Sequence, residues 1–168
     1  TVRILLAALI GIAVYVGGAG IQSSPDSAEA ASCEGANACT GATATIGVES
    51  CKGIEACLNA TGSIGDNACI GDYACSEAGA SGGSSTIGSD SCHGFEACIH
   101  AGYDDGGFAS VADGSCDGAN ACSYIGEIGH TEIGTGSCLD GFSCYQAGSD
   151  GGRAVIGDGS CVGLRACF

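Results

Sequence analysis

The stretch STIGSDSCHGFEAC, residues 85–98, joins two short blocks whose recurrence decides the fold. The first is a small-residue tail built around one apolar residue, here Ile87. The second opens Ser91-Cys92, sets Gly94 two places after the cysteine and closes on Ala97-Cys98. Aligned on their cysteines, seven units open SCEGANAC (32–39), SCKGIEAC (50–57), ACIGDYAC (68–75), SCHGFEAC (91–98), SCDGANAC (115–122), SCLDGFSC (137–144) and SCVGLRAC (160–167). The C-x5-C spacing never varies. The apolar residue of each tail, Ile46, Ile64, Ile87, Val111, Ile133 and Ile156, always stands five positions before the next unit's first cysteine.

Only the segment between the two blocks changes length. The first two units have 18 residues, and units three to six have 22 to 24, through additions such as Ala80-Ser81-Gly82-Gly83, Asp104-Asp105-Gly106-Gly107 and Ser149-Asp150-Gly151-Gly152. A period of this length with insertions confined to one place marks stacked coils whose extra residues bulge from one edge. Glycine density and the absence of a 3.6-residue period exclude helical repeats. Thr43-Ala44-Thr45-Ile46 alternates polar and apolar, the period of a half-buried strand. The expected fold is therefore all-β: a β-solenoid of six full coils and a partial seventh, with one disulfide per coil. Coils at strand spacing would make a rod roughly 30 Å long. Its narrow interior is expected to take the tail isoleucines together with Ala42, Ala60, Ala78, Ala101, Ile125 and Ala147.

Seven first cysteines and seven second cysteines constrain the pairing. Bonds running up and down a column would leave an odd cysteine of each kind, whereas bonds within units leave none. The expected bridges are Cys33–Cys39, Cys51–Cys57, Cys69–Cys75, Cys92–Cys98, Cys116–Cys122, Cys138–Cys144 and Cys161–Cys167. A disulfide needs Cα atoms only about 4.4 to 6.8 Å apart, so each loop must bend sharply. The glycine two places after the first cysteine supplies that corner in six units. Unit six has Asp140 there and Gly141 next, which predicts a differently shaped corner. Zinc sites favour C-x(2–4)-C and redox sites C-x-x-C, and neither spacing occurs here.

The 168 residues contain 14 cysteines and 32 glycines but no tryptophan or methionine, so a core of large side chains is excluded. Cysteine at this density belongs to an oxidising compartment. The formal charge of −15, with only Arg3, Lys52, Arg153 and Arg165 as cations, repels a phosphate backbone and excludes nucleic acid as a partner. Residues 1–30 form a separate region from the repeat domain at 31–168. Arg3 precedes the apolar run Ile4 to Val16, and Ala28-Glu29-Ala30 offers a small-residue cleavage site, the layout of a secretory signal peptide. Residues 4–21 also approach the length of a membrane-spanning helix, so a retained hydrophobic helix is the second expectation. Either places the repeat domain outside the cytosol, secreted or at the cell surface.

The remaining candidates are outward residues. His93, His100 and His130 occupy slots that other units fill freely, which reads as solvated coil surface rather than a catalytic base. Asp104, Asp105 and Asp150 offer carboxylates for calcium, though Asp-Gly is also ordinary turn chemistry. Asn59-Ala60-Thr61 is an N-glycosylation sequon. The pairs Thr43/Thr45, Thr61/Ser63 and Ser84/Thr86 begin a hydroxyl face that breaks at Phe108/Ser110, His130/Glu132 and Arg153/Val155. In its cysteines six apart on short coils, the chain resembles the beetle antifreeze proteins, disulfide-braced β-solenoids whose ice-binding face is a ladder of Thr-x-Thr strands. That resemblance implies a role for the hydroxyl face in binding ice. The S-C-x-G-x-x-A-C unit also resembles cysteine-repeat proteins expected to be secreted by algae and other microbes.

These readings predict a non-enzymatic extracellular structural protein, a subunit of a surface layer or filament, with no catalytic residue, fixed metal or cofactor. Because the last unit stops at Cys167-Phe168, its coil is expected to offer unpaired backbone groups to a neighbouring subunit. Self-association through coil ends or through the N-terminal hydrophobic segment is thus the expected partnership. The alternatives are ice or mineral binding through the hydroxyl face, and calcium-dependent adhesion.

Overall fold

The tail isoleucines become the rungs of a parallel sheet. The computed structural model describes residues 32–168; the signal peptide or hydrophobic helix expected over residues 1–30 lies outside the described residues. Six strands follow in chain order, β1 (Thr45–Ile46), β2 (Ser63–Ile64), β3 (Ser84–Ile87), β4 (Phe108–Val111), β5 (His130–Ile133) and β6 (Arg153–Ile156). Each pairs in parallel with the next, giving one six-stranded sheet in sequence order. The register carries Ile46 onto Ile64, Ile87, Val111, Ile133 and Ile156 in a single column. The chain is a disulfide-laddered β-solenoid. Constant spacing to the next cysteine fixes this register, because a slip of one residue would turn every isoleucine outward.

All seven intra-unit disulfides are present, with Cα separations of 5.5 to 5.6 Å. Their sulfurs form much of the interior, alongside Ala60, Ala78, Ala101 and Ile125. Ala147, Ile46 and Ile156 pack against this core while partly exposed. Ile125, Val111 and Thr131 are the largest fully buried side chains, consistent with an interior too narrow for aromatic rings.

Opposite the sheet, the segment after each first cysteine runs as an arm of tight turns. In unit two, the N–H groups of Gly53, Glu55, Cys57 and Asn59 donate to Glu34, Ala36, Ala38 and Thr40 of the coil before. The intervening Leu58 and Ala60 donate locally to Glu55 and Cys57. Every second N–H thus points along the stack. This arrangement uses left-handed backbone at non-glycine residues in fixed slots: Asn37, Glu55, Tyr73, Glu96, Asn120, Phe142 and Arg165 all have φ between 53° and 59°. Each such residue costs about 1–2 kcal/mol of intrinsic strain. Inter-coil hydrogen bonds and the neighbouring disulfide hold it in place.

Two further ladders join the coils. The serine before the first cysteine lies inside: Ser50, Ser91, Ser115 and Ser137 are fully buried. Their hydroxyls donate to the carbonyls of Gly65, Ala112, Gly134 and Gly157 on the following coil, at 2.7 to 2.9 Å. Each hydroxyl also accepts an N–H from that coil, as Ser115 accepts from Ser137 at 3.2 Å. At the outer corner, Asp66, Asp113 and Asp158 each accept an N–H from the preceding coil, from Val48, Ser89 and Thr135, at 2.8 Å. Unit six shapes its corner differently, as its sequence implies. Asp140 takes φ 96° where the equivalent glycines lie between 124° and 143°, and its Oδ1 accepts the Gly141 N–H at 2.8 Å.

Candidate functional site

Strand register determines what the hydroxyl face can present. Thr45, Ser63 and Thr86 stack as exposed neighbours, and Ser110 continues the column before Glu132 and Val155 end it. The second column does not form. Thr43 is exposed but precedes β1, and its N–H donates to the Ala60 carbonyl. Thr61 turns its hydroxyl back onto the stack, where Oγ1 donates to the Gly79 carbonyl at 2.5 Å. Exposed Ser84 begins a line that passes directly to Phe108, His130 and Arg153. The face is therefore one hydroxyl column four rungs tall, not the paired ladder expected from Thr43/Thr45, Thr61/Ser63 and Ser84/Thr86.

Where the hydroxyls end, a mixed cluster begins. Phe108 stacks on His130 with ring centroids 4.5 Å apart, and His130 Nε2 lies 2.7 Å from Glu132 Oε1. Arg153 reaches the same oxygen at 3.5 Å. The hydrogen bond from His130, helped by the Arg153 charge, holds the Glu132 carboxyl below the usual carboxylate range. The cluster sits on exposed strand surface, and charge pairs in such places are worth little to stability.

The other two histidines differ from each other. His93 Nε2 is 2.7 Å from the Asn67 carbonyl, an inter-coil contact on the surface. His100 is not the solvated residue its variable slot suggests. It is partly buried between Tyr103 and Tyr124, at centroid distances of 4.6 and 5.0 Å, and its Nε2 meets Glu77 at 3.1 Å. From there an aromatic run continues along the arm through Tyr145, with Phe142 and Phe168 beside it. Arg165 lies over the rings of Phe142 and Phe168. Its signal was present in the alignment, since His100 and Tyr124 both stand eight places after their first cysteine and Tyr145 and Phe168 seven.

Asn59 is exposed, while the threonine of its sequon is engaged with Gly79. Asp104 and Asp105 share one edge turn and Asp150 lies on another, and the Asp104 carbonyl accepts the Gly107 N–H that closes the first. Asp158, which lies between Gly157 and Gly159, serves the corner ladder instead. Among the described residues, the groups of three metal-ligand types within 4.8 Å are cysteines alone: Cys75/Cys92/Cys98, Cys116/Cys122/Cys138 and Cys138/Cys144/Cys161. Every one of these sulfurs is in a disulfide, so none offers the thiolate a metal needs. Their proximity reports how tightly successive bridges stack. No helix among the described residues is long and apolar enough to cross a membrane.

No curated protein and no solved structure matches the chain. Residues 16–105, more than half of its length, match the family described as "Domain of unknown function (DUF7640)". The described part of that match spans the first three repeat units and most of the fourth, with their disulfides, serine ladder and isoleucine column. By that match the chain belongs to the DUF7640 family.

Proposed function

We propose that this is a non-enzymatic extracellular structural protein, a subunit of a surface layer or filament. The observation that supports this reading is where the repeat puts its constant residues. In the inner units the serine, both cysteines, the alanine and the tail isoleucine or valine lie buried, and the glycine corner packs on the next coil. The outward slots change from unit to unit. A catalyst or a receptor for one ligand requires fixed groups facing out, whereas a building element requires only that the stack be rigid.

Seven disulfides suit an oxidising, extracellular setting. A stack whose coils are joined by one repeated ladder can be joined to a second stack through the same groups, the open association that generates filaments. Exposed Val162, Leu164 and Phe168 on the seventh unit add apolar surface to such a contact. Electron microscopy and sedimentation of the full chain across a wide concentration range test the reading. Ordered polymers are the expected result, and particles of monomer mass throughout would count against it.

The column of Thr45, Ser63, Thr86 and Ser110 favours a second reading, binding to ice or a mineral surface. Hydroxyls at strand spacing present a regular row, though along one direction only. Thermal hysteresis measured on the purified protein decides it, and no activity at high concentration removes this reading.

A further inference from the structure

Every disulfide in the described residues closes a corner within a single coil, so none ties a coil to its neighbour. One pair of side chains is placed to do so. Tyr124 of unit five and Tyr145 of unit six meet edge to face, with ring centroids 5.8 Å apart and planes at 71°. Both are partly exposed, within reach of a small oxidant. Their backbones are held, because the Tyr124 N–H donates to Ile99 of the preceding coil and the Tyr145 N–H to Phe142. Tyr73 and Tyr103 contact Phe95 and His100 instead, so among the described residues this ring contact alone joins two phenols.

We propose that Tyr124 and Tyr145 form an oxidative cross-linking site, where a carbon–carbon bond between their rings joins the fifth and sixth coils. The oxidant is a peroxide acting through a one-electron oxidant such as a haem peroxidase. Each phenol gives up one electron and one proton, and the two phenoxyl radicals couple between ring carbons ortho to oxygen. The coupled rings regain aromaticity by moving the two ortho hydrogens, as protons, onto the oxygens. Overall, two tyrosines and one hydrogen peroxide give one dityrosine and two waters. Rotation about the Cα–Cβ bonds draws the two rings together, and the broad torsion about Cβ–Cγ turns them so that the ortho carbons meet. Burial and the neighbouring Tyr145, Glu96 and Glu127 raise the Tyr124 pKa.

The inference stands apart from the filament reading, since the bond forms within one chain. The test exposes the dilute full-length protein to a haem peroxidase and hydrogen peroxide, with free tyrosine as a reaction control. Expected are dityrosine fluorescence, a chain of unchanged oligomeric size lighter by two hydrogen atoms, and, after reduction and digestion, a peptide pair joined at Tyr124 and Tyr145. Tyr124→Phe and Tyr145→Phe, each checked for a native circular dichroism spectrum, should both lose this product. The proposal is overturned if either variant keeps the product, if dityrosine links only separate chains, or if free tyrosine couples while the protein does not.

Discussion

Gly53 passes so close to Gly71 of the next coil that a β-carbon on Gly53 would lie 2.4 Å from the Gly71 carbonyl oxygen. Gly53 also holds φ +141°, a region left almost entirely to glycine. Gly53→Ala should therefore lower stability by about 3 kcal/mol or more, combining backbone strain with a clash that only separation of the coils relieves. Gly163 has a similar φ of +124° but no described atom within 4 Å of its missing β-carbon, so Gly163→Ala should cost roughly 1–2 kcal/mol. Denaturant unfolding of both variants isolates the contribution of the close approach.

Ser115 and Ser143 are both fully buried, yet their substitution should act in opposite directions. The Ser115 hydroxyl bridges Gly134 and Ser137, so Ser115→Ala leaves a buried carbonyl and N–H unpaired and should cost about 1–3 kcal/mol. The Ser143 hydroxyl has no hydrogen-bond partner among the described residues and occupies a slot that is alanine in the other six units. Ser143→Ala should raise stability by about 1 kcal/mol. Thermal melts of the two variants beside the parent protein check both signs.

Reduction should proceed from the ends inward. Cys33 and Cys167 are exposed, whereas both cysteines of the bridges in units two to six are fully buried. Limited reductant followed by alkylation and peptide mass spectrometry should label Cys33–Cys39 and Cys161–Cys167 first. Each small loop contributes about 2 kcal/mol in the chain-entropy model, and a domain's net stability is about 5–15 kcal/mol, so complete reduction should unfold the stack. Loss of the native circular dichroism spectrum on full reduction is the check.

Glu132 should titrate below the ordinary glutamate value, and His130→Ala should move it back up. A lowered folded-state pKa adds stability that is complete above the unfolded value and disappears as pH falls through the folded one. Acid should therefore weaken the strand face around Glu132, and added salt should shrink the effect because the group is exposed. Carbon-detected NMR titration of the carboxyl in parent and variant measures the shift.

Much of the fold was legible because spacing carried it. Ile46 through Ile156 keep a fixed distance to the next cysteine, and the odd count of each cysteine type pointed to bonds within units. The left-handed arm was not legible. Glu55, Tyr73 and Phe142 have no intrinsic preference for positive φ, and only the neighbouring coil and the adjacent disulfide place them there. The serine before the first cysteine recurs in six of the seven units, with Ala68 in its place in unit three, but its donation to a following coil appears only once the coils are stacked. Alternation within unit two points Thr61 outward and says nothing of the Gly79 carbonyl in unit three that captures its side chain. The aromatic arm is hidden in the sequence because its rings shift by one slot between units.

The orientation of the ladders also governs how the molecule would carry tension. Strand pairing and the arm's hydrogen bonds run along the stack axis, so a pull along that axis peels coils away singly instead of shearing many bonds together. Each coil that comes free still carries a closed cysteine loop, whose residues cannot lengthen while the sulfur bond stands. Extension would then come in steps, shorter for the 18-residue units than for the longer ones, each stopped by a covalent knot, so the stack would yield gradually instead of all at once.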